Sequence, residues 1–123
     1  MSGVIYKILP RSVWELAKQD GIFSGHGIDL DDGFIHLSDV SQVGETLERY
    51  FMGHDDLLLL EVLTQPLGAS LRWEASRNGE KFPHVYGDIP IEAIVTVHQL
   101  PLDDQGHHRL PGGLNRVDKG HGN

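Results

Sequence analysis

Two short segments, DGFIHLS at 32–38 and FPHVYG at 82–87, hold side chains suited to chemistry in a chain with few aromatic residues. Successive side chains of an extended strand point to opposite faces. Phe34, His36 and Ser38 therefore share one face while Ile35 and Leu37 build core, and Phe82, His84 and Tyr86 share a face in the second segment. If both faces line one cleft, two imidazoles, a phenol and a hydroxyl converge, between aromatic walls that hold a flat ligand by stacking. His36 or His84 would then orient a ribose or phosphate, and Tyr86 would stack. Arg72 would clamp a phosphate, and Glu74 or Glu92 would face developing positive charge.

Each of these residues has a plainer reading. A strand histidine often only satisfies one buried hydrogen bond. Ser38, just before SDVSQ, is placed to cap a following helix. Tyr86-Gly87 also reads as a turn anchor, Arg72 and Glu74 as a surface ion pair, and Glu92 as a solvated carboxylate at a strand edge.

The eight histidines, His26, His36, His54, His84, His98, His107, His108 and His121, show no zincin spacing, so no metal site is expected. A metal-assisted hydrolase built on His36, His84 and a carboxylate stays open, because such sites assemble in space. The chain lacks G-x-G-x-x-G, a P-loop and G-x-S-x-G, and with them the usual dinucleotide, NTPase and hydrolase signatures.

The positioning elements follow from local pattern. VIYKIL at 4–9 reads as a first strand ended by Pro10. Ser12 and Glu15 form a capping box for a helix with Val13, Leu16 and Ala17 inward, stopped at Asp20-Gly21. FSGHGIDLDDG at 23–33 reads as an irregular loop with Ile28 and Leu30 inward. Val43, Leu47, Tyr50 and Phe51 lie at helical spacing in a second helix ending at Gly53. LLLLEVL at 57–63 reads as a central strand buried on both faces, with a short apolar helix as its rival. ASLRWE at 69–74 alternates as a strand, Ala69, Leu71 and Trp73 opposite Ser70, Arg72 and Glu74; RNGE at 77–80 is a turn; residues 89–100 form a last strand.

A chain of 123 residues with 39% hydrophobic and 23% charged residues builds one core. The expectation is a single α+β domain over 1–102, with two N-terminal helices and a largely antiparallel or mixed sheet. The glycine-rich, apolar-poor stretch 103–123 is expected to be a flexible tail. A formal charge of −8 disfavours nucleic acid but leaves a small anion open. With no cysteine, no leader-like start and no membrane span, a bacterial-type cytoplasmic monomer is expected.

Taken in order, IYKI, DGFIHLS, DLLLL, LRWE, FPHVYG and IPIEAIV resemble the bacterial domain-of-unknown-function family 952, over residues 4 to about 100. The resemblance implies an ADP-ribosyltransferase-like fold, a split β-sheet binding NAD in a cleft between its sheets. In that superfamily an early strand carries a His or Arg that holds the adenosine ribose. A second strand carries a Tyr/Ser-Thr segment lining the nicotinamide pocket, and a late carboxylate contacts the other ribose. FIHLS looks like the second segment, with Ser38 at its serine position, and Glu92 is the carry-over for the carboxylate. Lys7 stands where a His-Gly-Thr or Arg belongs, and Ile35-His36 replaces the tyrosine pattern.

The functional expectation is a small domain in which His36, Ser38, His84 and Tyr86 line a cleft for NAD or a related nucleotide, with ADP-ribosyl transfer or NAD glycohydrolysis as its chemistry. His36, His84 and Glu92 are the catalytic candidates, and Ser38, Arg72, Glu74 and Tyr86 the binding candidates. The alternative is a binding module for a nucleotide or peptide that kept the cleft and lost the chemistry.

Overall fold

The computed structural model describes residues 3–76 and 79–111. It is an α+β fold of three antiparallel sheets and few helices. In chain order the elements are β1 (Val4–Pro10), α1 (Arg11–Asp20), β2 (Ile22–Phe23), α2 (Ile28–Asp32), β3 (Ile35–His36), α3 (Val43–Tyr50), β4 (Leu57–Leu63), β5 (Leu71–Ala75), β6 (Lys81–Val85), β7 (Ile89–Pro90) and β8 (Ile94–Leu100). Short 3-10 helices at Gln65–Ser70 and Ile91–Ala93 precede β5 and β8. The sheet orders are β1-β4-β8, β2-β7 and β3-β6-β5.

The apolar run at 57–63 is the central strand β4, and its two faces explain why it does not alternate. Leu57 and Leu59 pack with Tyr6, Ile8, Val43, Leu47 and Leu100 beneath α3. Leu58, Leu60 and Val62 face a second cluster with Ile5, Leu9, Trp14, Phe23, Ile35, Val85 and Ile89. That second cluster joins the β4 sheet to the β3-β6-β5 sheet, so one layer of side chains carries the position of the histidine strands. Leu60→Ala is expected to cost about 2–5 kcal/mol, as large-to-small changes at fully buried sites do. Chemical denaturation reads it, and a loss under about 1 kcal/mol would contradict the two-sided packing.

Local expectations give way where long-range partners intervene. α1 starts two residues earlier than the capping box requires, with Pro10 at its N-cap and no side-chain cap. Ser12 and Glu15 are both inside the helix, and Glu15 pairs with Lys18 at 3.1 Å. Trp14 and Ala17 are buried, whereas Leu16 is 61% exposed. Gly21 stops the helix as expected, in the left-handed region at φ 83°.

Residues 28–32 form a short helix rather than an irregular loop, and its orientation is inverted: Ile28 and Leu30 are exposed while Asp29 is 3% exposed. α3 begins at Val43, with Val43 and Leu47 buried and Tyr50 exposed, and it ends before Gly53. Ala69 and Ser70 lie in a 3-10 helix, so β5 starts at Leu71, and Trp73 is 44% exposed. The expected last strand is two strands: β7 pairs with β2, the chain turns through Ile91–Ala93, and β8 then pairs with β4.

Residues 103–111, expected as tail, fold back onto the body. Leu102 bridges His108, Arg109 N–H donates to Pro101, His108 bonds the His54 carbonyl at 2.7 Å, and Leu110 packs on the α3 cluster. Composition understated this stretch because its anchors are backbone and histidine hydrogen bonds and one leucine. The remainder of the proposed tail, 112–123, and the Arg77-Asn78 part of the expected turn lie outside the described residues. Among the described residues, no helix is long and apolar enough to cross a membrane.

Candidate functional site

The β3-β6-β5 sheet has one apolar face and one functional face. Ile35 pairs with Val85, and Leu71 pairs with Val85 from the other side, pointing that face into the core. On the opposite face His36 pairs with His84 and His84 with Arg72, a cross-strand row of three basic side chains. His36 and His84 occupy a non-hydrogen-bonded pair, because Leu37 N–H donates to Pro83 while His36 N–H turns away from β6 to Asp29. Side chains at such pairs approach closely, and the imidazole centroids lie 5.4 Å apart.

Each imidazole rests on a carboxylate. Nδ1 of His36 is 2.7 Å from Asp29 Oδ1 and Nε2 is 3.0 Å from Asp32 Oδ2, so both ring nitrogens face a carboxylate oxygen. Nδ1 of His84 is 2.8 Å from Glu74 Oε1, and the Tyr86 hydroxyl donates to the same oxygen at 2.8 Å. The Arg72 guanidinium lies 5.0 Å from the Tyr86 ring centroid. Phe34 contacts His36, His84 and Tyr86, with centroid distances of 4.6, 4.3 and 5.1 Å.

The electrostatics follow from these contacts. The bond from His84 holds Glu74 below the usual carboxylate range, helped by the bond from Tyr86 and by nearby Arg72. Accepting that bond, Glu74 pushes the Tyr86 phenol up. Tyr86→Phe is therefore expected to move the Glu74 titration toward, but not to, its ordinary range, because His84 still donates. A carboxyl-resolved NMR titration reads this, and an unmoved Glu74 would contradict the bond.

Beneath the site lies a buried ion pair. Lys7 Nζ donates to Asp29 Oδ2 at 2.8 Å and to the His36 carbonyl at 2.9 Å. Burial pulls the Lys7 ammonium down against the opposing charge of Asp29. Burial would raise Asp29, but the bond from His36, the charge and bond of Lys7 and the His36 amide outweigh it and hold the carboxyl at about 2. Asp29 also accepts from His26 N–H at 3.0 Å. β3 is an edge strand of two residues, and this pair occupies the backbone N–H and C=O of His36 that a further strand would have taken.

The structure thus brings His36, His84, Arg72, Glu74 and Tyr86 together. Ser38 is not with them: its backbone bridges Tyr6, and its buried hydroxyl bonds Thr46 at 3.3 Å. Nor does Ser38 cap α3, where Gln42 is the N-cap and Asp39 accepts from the Ser41 and Gln42 amides. The parity rule that groups Ser38 with His36 fails because the ladder with β6 ends before it. Glu92 is exposed in the 3-10 turn before β8, with no bond to the cluster among the described residues. Sequence reasoning missed Lys7, Asp29 and Asp32 as members of the site. Lys7 carried a signal, a lysine within an otherwise apolar β1, whereas Asp29 and Asp32 looked like loop acids.

Among the described residues no group of three or more His, Asp or Glu is arranged to hold a metal ion. A cavity of about 340 Å³ lies elsewhere, between α3 and residues 107–110, lined in part by Glu45, Glu48, Met52 and His107.

Comparison with known proteins agrees with this arrangement as a fold. A crystal structure of protein CC0527 from Caulobacter crescentus superposes with a TM-score of 0.86 at 45% identity, covering 91% of this chain and 98% of that one. A solution NMR structure of CC0527 gives a TM-score of 0.80 at 44% identity, covering 91% and 97%. No curated protein matches the chain significantly. The family described as "Protein of unknown function (DUF952)" matches residues 8–97, and this chain belongs to that family.

Proposed function

We propose that the chain is a cytoplasmic nucleotide-binding domain of ADP-ribosyltransferase-like architecture whose β3-β6-β5 face takes NAD or a related nucleotide. The observation that carries the reading is the row His36, His84 and Arg72 lying beside the aromatic side chains Phe34 and Tyr86. The Arg72 guanidinium with imidazoles beside it suits a phosphate or pyrophosphate even on a chain of net charge −8, and the rings suit a base or nicotinamide. Two three-stranded sheets sharing one apolar layer support the split architecture.

With NAD bound, Arg72 anchors the anionic end and Tyr86 stacks. The Glu74 carboxylate, kept ionised by His84 and Tyr86, faces the positive charge that grows on the ribose as the bond to nicotinamide breaks. His84, the one of the two imidazoles without both ring nitrogens on carboxylates, orients a ribose or phosphate. Glu92 and Ser38 leave the assignment, because neither touches this face.

The second reading, binding without chemistry, is favoured by His36: both of its ring nitrogens are already engaged by carboxylates, which leaves no free acid or base there. Titration with NAD, following calorimetric heat and nicotinamide release together, separates the two. Heat with release is the outcome expected of the enzyme, and heat alone that of the module. Neither signal at millimolar NAD would overturn both.

A further inference from the structure

Phe34 already touches three of the rings that a flat ligand at this site would face. Its ring stacks on His84 at 4.3 Å and 30°, and tilts against His36 at 4.6 Å and Tyr86 at 5.1 Å. It is half-buried and forms the outer layer, while His84 beneath it is 4% exposed. Nδ1 of His84 is held by Glu74. A ligand ring laid on the outer face of Phe34 would not reach the His84 ring, which Phe34 covers at 4.3 Å. A ring that contacts His36, His84 and Tyr86 together must take the place of Phe34.

The backbone at Phe34 permits that exchange. The residue lies just outside the ladder, since β3 begins at Ile35, and it follows Gly33, which ends α2 at φ 83°. The strand itself is pinned one residue later, where Lys7 and Asp29 hold His36. Rotation of the Phe34 side chain therefore leaves both the register and the His36–His84 pair in place.

We infer that Phe34 is a resident plug, its phenyl ring occupying a slot that takes one six-membered heteroaromatic ring, of nicotinamide or pyrimidine size, when the side chain swings out. The chemistry of that ring rests on the nucleotide reading above, whereas the occlusion of His84 does not. Because the slot is filled by a phenyl group, a purine is too large for it and belongs elsewhere on the face. Binding must first displace Phe34, so wild-type affinity is reduced by the fraction of molecules in which the slot is open.

The test uses the full chain and Phe34→Ala, with Phe34→Leu as a milder variant that retains apolar volume if the alanine form does not fold. Diethyl pyrocarbonate acylation is followed at each histidine by peptide mass spectrometry, with exposed His26 as the internal reference. His84 acylation, relative to His26, should rise at least about tenfold in Phe34→Ala, with a smaller rise in Phe34→Leu. Nicotinamide, titrated by NMR, should bind Phe34→Ala at least about tenfold more tightly than wild type, in proportion to the open fraction gained. Unchanged His84 acylation in folded variants overturns the plug, as does weaker nicotinamide binding in Phe34→Ala, which would make Phe34 a stacking wall. Faster acylation without nicotinamide binding to either protein retains the plug and refutes the ring assigned to its slot. NAD failing to bind wild type defeats the nucleotide reading while leaving the acylation result to decide the plug.

Discussion

Asp29→Ala is expected to lower the unfolding free energy by about 3–5 kcal/mol, because removing one member of a buried ion pair strands the other charge. Domains of this size hold about 5–15 kcal/mol in total, so urea or thermal unfolding will register the loss plainly. Lys7 is only 8% exposed, and its remaining hydrogen-bond partner is the His36 carbonyl. The same substitution removes the acceptors for the His26 and His36 amides and for the His36 ring. Adding Lys7→Met should restore only part of the stability, since it relieves the stranded ammonium but leaves those donors unpaired. Full restoration would mean that the backbone contacts of Asp29 contribute nothing.

The pair also sets an acid limit. Asp29 titrates at about 2 in the folded protein against an ordinary value of 3.8, and a carboxyl depressed on folding stabilises above its unfolded value. That stabilisation, about 2 kcal/mol, is complete above roughly pH 4 and is lost as pH falls through about 2. Asp29→Asn should flatten the stability profile in that window. An unaltered acid slope would place the responsible carboxyl elsewhere.

On the proposed NAD-cleaving reading, Glu74→Gln should lower cleavage by about 10²–10³-fold, the usual cost of deleting one electrostatic contact to the transition state, while NAD binding persists. The amide oxygen can still accept from Tyr86 and His84, so the substitution removes charge more than shape. Glu92→Gln, exposed and away from the cluster, should leave the rate unchanged. Nicotinamide release under single-turnover conditions decides between them, and the reverse pattern would return the carboxylate role to Glu92. Because Glu74 is held below the usual carboxylate range, the cleavage rate should fall only once pH drops below that range; Tyr86→Phe should bring the fall to higher pH.

Much of the site was legible because side-chain direction in a strand is a local property. Alternation alone put His36 opposite Ile35 and His84 opposite Val85, and the structure pairs them in one register. It also separated Arg72 and Glu74 from Leu71 correctly, though not Trp73 from solvent. The same rule failed for Ser38, where the chain leaves β6 and meets β1. Helix 28–32 was misread for a comparable reason: its apolar residues point outward because its aspartate is drawn inward by partners at positions 7 and 36.

By itself the sequence determined the run that became β4, the stop at Gly21 and the faces that carry the two histidines. These depend on residues within a few positions of one another. Only tertiary structure decided that Asp29 is buried and Leu30 exposed, that Lys7 holds His36 by its backbone, and that residues 103–111 return to the body. Burying a charge is unfavourable unless its partner arrives, and here the partners are 22 and 7 residues away.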